Sequence, residues 1–331
     1  MKAVNQKVIV IVGPTSSGKT KLAVRLARRF GGEIVSADSR QVYRGMDIGT
    51  GKDLQDYAIK QIANRESRIV TIPYHLIDVV SPKQQFTVAD YQHRAYRAID
   101  DILSRGRLPI VCGGTGLYIT VLTEGYVLPK SQIANRKSPF GAAQGDLKFT
   151  ERLQIARRKL SPLSLPPLLS RLKKIDPETY RVIDKKNRRR VQRALEIFYL
   201  TGRPKSEQPG KQKPPYRFLL LGIAVPKTTL HRRIHRRLLQ RLDQGMIAEI
   251  SRLHRQGVSW KKLESFGLEY RWVAQYLQKK IIREQLAAGL EKAIQQFSKR
   301  QMTWFKRDKT IRWITTAGQA AAAARRFISS E

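Results

Sequence analysis

Short apolar runs alternate with amphipathic segments over residues 8–121. Val8–Val12 is a continuous β-branched run, which is typical of a strand buried on both faces. Lys21–Phe30 repeats its apolar residues at helical spacing and predicts a helix. Further strands are predicted at Glu33–Ser36 and Leu108–Val111, with a helix from Thr87 to Ser104 between them. Strands that alternate with helices predict a parallel α/β sheet with right-handed crossovers.

The rest of the chain divides into a basic helical segment and a second α/β segment. Residues 129–146 are rich in Pro, Gly, Ser, Asn and Gln and predict a loop or a mobile linker. The α/β pattern returns with strands at Arg217–Val225 and Thr310–Ile314 and helices at Thr228–Gln256 and Arg283–Arg307. We predict an α/β core domain of residues 1–121 and 188–331, which carries a helical, basic insertion domain of residues 122–187.

The charge balance adds a candidate partner. The chain holds 64 Lys and Arg against 26 Asp and Glu, for a formal net charge of +38. Such a field favours polyanions, either nucleic acid or an anionic membrane, although a basic proteome would also account for it. Lys185–Arg190 holds five cations in six positions, and Arg233, Arg237 and Arg241 share one helix face. Together these clusters favour an RNA backbone.

The cysteine count and the lengths of the apolar runs indicate the cellular compartment of the protein. Cys112 is the single cysteine, so an intrachain disulfide is impossible, which fits a reducing cytosol. No apolar run approaches the ~18 residues of a membrane helix. We therefore expect a cytoplasmic monomer without a membrane partner.

A glycine-bearing turn between the first predicted strand and helix carries the clearest chemistry. It fits the pattern G-x-x-x-x-G-K-[ST], in which backbone N–H groups wrap an anion at a helix N-terminus. The lysine adds a point charge and the final hydroxyl can ligate Mg²⁺. The pattern predicts a di- or triphosphate site formed by Gly13, Pro14, Thr15, Ser16, Ser17, Gly18, Lys19 and Thr20.

Two further segments are predicted at the carboxyl edge of the sheet, where α/β proteins bind ligands. Asp38 follows the second strand, and its carboxylate could hold Mg²⁺, orient a nucleophile or accept a proton. An N-cap for the next segment is the alternative role. Gly113–Gly116 follows the Leu108 strand, and its three glycines would permit a ligand to approach the backbone.

These segments resemble the bacterial tRNA dimethylallyltransferase (tRNA isopentenyltransferase) family. The resemblance rests on Gly13–Thr20, on SADSRQVYRGMDIGTGK at 36–52 and on GGTGLYI at 113–119. RVQRALE from Arg190 and SKRQMTWF from Ser298 resemble later motifs of that family. Phe266–Tyr270 departs from it, because the family usually has a Gly-Tyr-Lys-Glu-like sequence there. The resemblance implies a P-loop NTPase-like parallel sheet core with a mainly helical insertion domain.

The resemblance also implies a reaction. Dimethylallyl would pass from dimethylallyl diphosphate to the exocyclic N6 amine of the adenosine beside the anticodon of tRNA, releasing pyrophosphate. By this analogy Asp38 orients or deprotonates the amine, while Lys19, Thr20, Arg233 and Mg²⁺ act on the leaving pyrophosphate, which Arg237 also contacts. The resemblance places tRNA, through its anticodon stem-loop, against Asp38, Ser39, Arg40, Gln41, Thr115, Arg189, Arg190 and Arg193.

Three other classes of function remain open on the sequence. A phosphate-loop kinase or NTPase acting on RNA or a nucleotide would explain Gly13–Thr20, but no apolar run ends in a convincing metal-holding aspartate. An adenylate prenyltransferase acting on free AMP would not need the basic insertion. A non-catalytic RNA-binding protein would leave the phosphate loop and Asp38 unexplained.

Overall fold

A computed structural model describes residues 6–63, 66–128, 153–208 and 210–330. The chain forms two compact units, of which the first comprises residues 1–125 and 213–331 and the second residues 126–212. No helix among the described residues is long and apolar enough to cross a membrane.

The first unit is built on a six-stranded parallel sheet. The strands are β1 Lys7–Val12, β2 Gly32–Ser36, β5 Tyr74–His75, β6 Leu108–Gly113, β7 Arg217–Ile223 and β8 Arg312–Ile314, and the separate antiparallel hairpin is β3 Ala58–Ala63 with β4 Glu66–Thr71. The strands of the sheet lie in the order β5-β2-β6-β1-β7-β8, and every adjacent pair is parallel. This order confirms the predicted α/β fold, since parallel neighbours need crossovers.

Helices connect the strands of the first unit. In the second unit, all of the described regular secondary structure is helical. Thr87 caps the helix Val88–Ser104 by accepting the N–H of Asp90, whose carboxylate reaches back to Thr87, as the sequence pattern predicts. The helices are α1 Lys19–Phe30, α2 Val88–Ser104, α3 Gly116–Thr123, α4 at 153–160, α5 Leu165–Ile175, α6 Pro177–Val182, α7 Arg188–Thr201, α8 Lys227–Asp243, α9 Met246–Arg255, α10 Trp260–Ser265, α11 Leu268–Leu277, α12 Arg283–Phe305 and α13 Ala317–Ser329.

The core of the first unit lies on both faces of β1. Residues Val8 to Val12 are fully buried, as a central parallel strand requires. On one face Ile9 and Ile11 pack in a cluster with Leu26 of α1 and with alanines of α13. The centre of the sheet is therefore buried on both faces, and the loops at the carboxyl ends of its parallel strands lie at one edge.

Two predicted elements end differently in the structure. The predicted helix Thr228–Gln256 is two helices, α8 and α9, because Gly245 adopts a left-handed conformation with φ +95° between them. The last strand begins at Arg312 instead of Thr310, since the N–H and hydroxyl of Thr310 bond the Asp308 carboxylate in a turn.

The second unit has its own small core. Leu160, Leu168, Leu172, Val191 and Leu195 are fully buried against one another, so α7 packs with α4 and α5. The predicted return to the core domain at residue 188 therefore differs from the structure, in which this unit continues to residue 212. The apolar face of α7 explains the difference, because it is buried within this unit. The loop predicted at 129–146 lies outside the described residues.

Candidate active site

The predicted phosphate loop is the turn that leads from β1 into α1. Gly18 is the N-cap of α1 and has φ +92°, a left-handed conformation that a residue with a Cβ rarely adopts. Lys19 begins the helix and its Nζ donates to the Pro14 carbonyl at 2.7 Å. The residue is partly exposed, but its ammonium group is enclosed, and this burial lowers the pKa of Lys19 to about 8. The backbone of the loop thus encloses the ammonium group of Lys19.

The same loop holds hydroxyl groups that suit a ligand. The Ser17 Oγ is buried and has no hydrogen-bond partner among the described residues. Thr20 lies in the first turn of α1 and is partly exposed. The described residues contain no group of three His, Cys, Asp or Glu that could hold a metal by themselves.

Helix α8 brings a row of arginines toward the phosphate loop. Arg233 donates through Nη1 to the Ser17 carbonyl at 3.4 Å. One turn later Arg237 pairs with Asp53 at 2.6 Å, and its charge is one cause that lowers the pKa of Lys19. The structure therefore places both predicted arginines on the helix that faces the loop.

A cavity at the carboxyl edge of the sheet collects residues from the loops after three strands. Thr15 follows β1, Asp38 follows β2 and Thr115 follows β6, and all three line it together with Arg40. The Asp38 Oδ1 accepts the backbone N–H groups of Arg40 and Gln41 at 2.9 and 3.4 Å. Within the described part of the chain Asp38 Oδ2 makes no hydrogen bond. One carboxylate oxygen is therefore available to a ligand in the cavity.

The other predicted residues of the loop after β2 have structural partners. Ser39 donates its backbone N–H to the Thr115 Oγ1 at 3.0 Å. The Gln41 side chain donates to the Gly51 carbonyl at 3.3 Å and accepts from the Ser36 hydroxyl at 3.3 Å. Gln41 thus fastens the loop 47–52 to the end of β2.

A buried carboxylate holds that same loop. Glu249 of α9 is 3% exposed and accepts the backbone N–H groups of Asp47, Ile48 and Gly49 at 2.9, 2.6 and 3.1 Å. It also accepts the Tyr270 hydroxyl at 2.8 Å. Four donors satisfy one anion, so the loop is fixed where Gly49 lines the cavity.

Sequence reasoning missed an ion-pair network in the cavity wall. Glu269 is 5% exposed and pairs with Arg40 at 3.1 Å and with Arg241 at 3.3 Å. Burial lowers the pKa of Arg241. The four-residue spacing that marks Arg233 and Arg237 extends to Arg241, so that signal was present. Glu269 lies in the segment Phe266–Tyr270, which departs from the family pattern. The resemblance therefore implied no role for Glu269.

The predicted RNA-binding arginines of α7 lie in the second unit. Arg189 and Arg190 are exposed, and Arg193 pairs with Glu196 at 2.9 Å while half of its side chain stays exposed. Arg188 is the N-terminal residue of α7 and donates to the carbonyls of Ser161 and Leu163. Arg189 and Arg190 are therefore exposed cations of the second unit, whereas Arg188 and Arg193 have partners within that unit.

Comparison with known proteins decides the family. A family model described as IPP transferase matches residues 41–308, and one described as isopentenyl transferase matches residues 6–64. The first match covers more than half of the chain. The chain belongs to the IPP transferase family. Membership favours a transferase over the kinase or NTPase that the phosphate loop by itself suggests.

Relatives of the family match nearly the whole chain. A tRNA dimethylallyltransferase 2 of Trichlorobacter lovleyi is 41% identical over 325 residues, covering 97% of this chain and 96% of its own. The structure of a tRNA isopentenylpyrophosphate transferase from Bacillus halodurans has a TM-score of 0.62 at 31% identity, with coverage of 98% and 96%. A eukaryotic dimethylallyltransferase acting on tRNA has a TM-score of 0.71 at 27% identity, with coverage of 97% and 77%.

The cavity of this IPP transferase family member contains no reactive thiol among the described residues. Cys112, the last residue but one of β6, is 6% exposed, and burial raises the pKa of its thiol to about 12. A thiol with that pKa stays protonated at neutral pH and is a poor nucleophile. Two carboxylates line the cavity, and one of them, Glu269, is paired with Arg40 and Arg241, whereas Asp38 is in no such pair among the described residues.

Proposed function

We propose that this enzyme transfers the dimethylallyl group of dimethylallyl diphosphate to the N6 amine of the adenosine beside the anticodon in tRNA. The observation that carries the proposal is the common cavity of Thr15 from the phosphate loop and Asp38 from the loop after β2. One edge of the sheet thus offers a diphosphate cradle and a carboxylate with an available oxygen. That pairing suits displacement of pyrophosphate from carbon by an amine.

The phosphate loop holds the leaving group in this proposal. The C–O bond of the allylic diphosphate breaks as negative charge develops on pyrophosphate, so fixed positive groups lower the barrier. Lys19 and Arg233 supply two of these groups, and the backbone N–H groups at the start of α1 supply others. Arg237 extends the row. Thr20 would hold Mg²⁺, which when bound neutralises charge on the diphosphate.

Asp38 acts on the nucleophile. Its Oδ2 accepts a hydrogen bond from the N6 amine and takes the proton that the nitrogen loses when the N–C bond forms. An adenine amine is a weak nucleophile, so its alignment with the C–O bond matters more than its basicity. Thr115 and Arg40 line the same cavity and would contact the base that leaves its stack to enter it.

The second unit and the charge of the chain fit a tRNA substrate. The net charge of +38 and the exposed Arg189 and Arg190 suit phosphate contacts with an anticodon stem-loop. Residues 126–212 would then bind tRNA, and the enzyme would work as a monomer in the cytoplasm, where its substrate lies.

Nucleoside analysis tests the proposal. Purified protein is incubated with unmodified tRNA, dimethylallyl diphosphate and Mg²⁺, and the tRNA nucleosides are then analysed by mass spectrometry. We expect one dimethylallyl group on the adenosine beside the anticodon and an equal amount of pyrophosphate. Parallel reactions contain ATP in place of the donor, or AMP in place of tRNA. ATP turnover without prenyl transfer, or AMP modified faster than tRNA, would reject the proposal.

A further inference from the structure

One side chain of α12 joins the two glycine-containing turns that border the cavity. Gln301 accepts the backbone N–H of Thr15 at 2.8 Å through Oε1 and donates through Nε2 to the Gly114 carbonyl at 2.8 Å. The residue is 8% exposed and lines the cavity. A single carboxamide therefore connects the loop after β1 with the loop after β6.

The chemistry of these two bonds requires an amide. The N–H of Thr15 needs an acceptor and the carbonyl of Gly114 needs a donor, and glutamine supplies both at the end of one side chain. Gly114 also makes room for it, since a Cβ there would lie 2.4 Å from the Gln301 Nε2. Neither a carboxylate nor an apolar side chain of equal length can make both bonds.

The connection continues to the carboxylate of the cavity. Thr115 follows Gly114 and accepts the backbone N–H of Ser39 at 3.0 Å. Ser39 is the neighbour of Asp38. An unbroken series of bonds thus runs from the phosphate loop through Gln301 and Thr115 to the loop that carries Asp38. It spans the ends of three strands, β1, β6 and β2.

We propose that Gln301 is a positioning residue that sets the separation between the phosphate loop and Asp38. The inference rests on the proposed function, because a displacement at carbon needs the leaving group and the nucleophile in line. A misplacement of about 1 Å can cost about 10²-fold in rate. Gln301 acts through Thr15 and Thr115, since its own carboxamide is bonded to the backbone on both sides.

The test compares two glutamines of one helix. Gln301→Met keeps the length of the side chain and removes both bonds, whereas Gln296→Met makes the same change at an exposed position of α12. For Gln301→Met we expect a fall of about 10²-fold in the single-turnover rate, with the KM values for donor and tRNA changed less than about threefold. Gln296→Met should equal the unaltered enzyme. A loss confined to KM, or equal rates in both variants, would overturn the role.

A measurement without substrate separates this inference from the proposed function. Hydrogen exchange at the Thr15 amide, followed by NMR, should be faster in Gln301→Met than in Gln296→Met, whether or not the protein transfers a prenyl group. Unchanged exchange would refute the bridge itself. Absence of transfer by the unaltered enzyme would refute the proposed function while the exchange result stood.

If Gln301→Met fails to fold, two other variants decide the question. Gln301→Glu keeps the acceptor for Thr15 and places an oxygen against the Gly114 carbonyl, and Thr115→Val breaks the bond to Ser39 farther along. Each should lower the single-turnover rate while the KM for the donor changes little. A normal rate in both would show that the separation does not depend on this series of bonds.

Discussion

The backbone N–H of Ser39 lies 3.0 Å from the Thr115 Oγ1 and donates to it. This bond ties the loop after β2 to the loop after β6, two neighbouring strands of the sheet. Asp38 immediately precedes Ser39, and the Asp38 Oδ1 accepts the backbone N–H groups of Arg40 and Gln41 in the same loop. The backbone next to Asp38 is therefore held by Thr115, and one oxygen of its carboxylate is held by the loop itself.

Replacing that carboxylate should affect chemistry and leave binding nearly intact. For Asp38→Ala we expect the single-turnover rate of prenyl transfer to fall by ~10²–10⁴, the range of a positioned acid–base group. tRNA affinity, measured by filter binding, should change little. Asp101→Ala on the exposed side of α2 is the matched control and should transfer normally. An unaltered rate in Asp38→Ala would remove this residue from the mechanism.

Lys19 should act on the donor. Lys19→Ala removes the cation of the phosphate loop, and a charge-assisted hydrogen bond is worth ~1.5–3 kcal/mol, so pyrophosphate affinity should fall by roughly ten- to a hundredfold. Calorimetry with pyrophosphate measures this directly. Lys21→Ala, two residues along the same helix and exposed, should bind normally. Equal reductions of pyrophosphate and tRNA affinity in Lys19→Ala would contradict a role at the diphosphate.

Glu249 should determine the order of the loop 47–49. Glu249→Gln turns one acceptor oxygen into a donor that faces a backbone N–H, so we expect a decrease of about 1–3 kcal/mol in the free energy of unfolding. Amide exchange at Asp47, Ile48 and Gly49 should become faster than in the exposed control Glu284→Gln. Protection equal to that control would show that the loop is ordered without the carboxylate.

Much of the site follows from local sequence. The predicted phosphate loop is one continuous segment, a glycine-bearing turn between a strand and a helix. The pattern of residues 13–20 is therefore enough to predict it. Asp38 and Thr115 were also predictable, because each follows a strand and parallel strands bring their carboxyl ends to one edge. The sequence predicts an insertion of residues 122–187, whereas the second unit of the structure comprises residues 126–212. The burial of the α7 apolar face, which places that helix in the second unit, was not visible in composition.

The side chains that hold the site were not predictable in the same way. Glu249 bonds a loop 200 residues earlier, and Gln301 bonds Thr15 and Gly114 at separations of 286 and 187. No local pattern encodes such partners. The break between α8 and α9 was also not predictable from the sequence pattern. A glycine inside an amphipathic helix is tolerated, and only the left-handed conformation of Gly245 separates the two helices.

Acid should lower the stability of the fold by protonating Glu33. This buried residue of β2 pairs with both terminal nitrogens of the Arg105 guanidinium group and with His75 at 2.8 Å. Its hydrogen bonds to Arg105 lower its pKa below the ordinary 4.5. The stabilisation is therefore complete above pH 4.5 and is lost as pH falls through the native pKa. Chemical denaturation should show Glu33→Gln less stable than the unaltered protein at pH 7, with the gap closing below about pH 4.5. A gap that stays constant on acidification would contradict the ion pair.

The arginines at the start of α7 should contribute to tRNA affinity by electrostatics. Arg188→Gln, Arg189→Gln and Arg190→Gln are combined in one variant, because all three are exposed. For each phosphate that the variant no longer binds, the slope of log affinity against log salt concentration should decrease by up to ~0.7–0.9, since fewer counterions are released on binding.

The matched control neutralises three exposed arginines of the first unit, Arg28, Arg325 and Arg326, so both variants have the same net charge. Filter binding of tRNA at several salt concentrations gives the slopes. A flatter slope in the α7 variant alone would support a phosphate-binding role for the second unit. Equal slopes in the two variants would mean that only the overall charge matters, since a specific phosphate contact depends on where the cation lies and a general field does not.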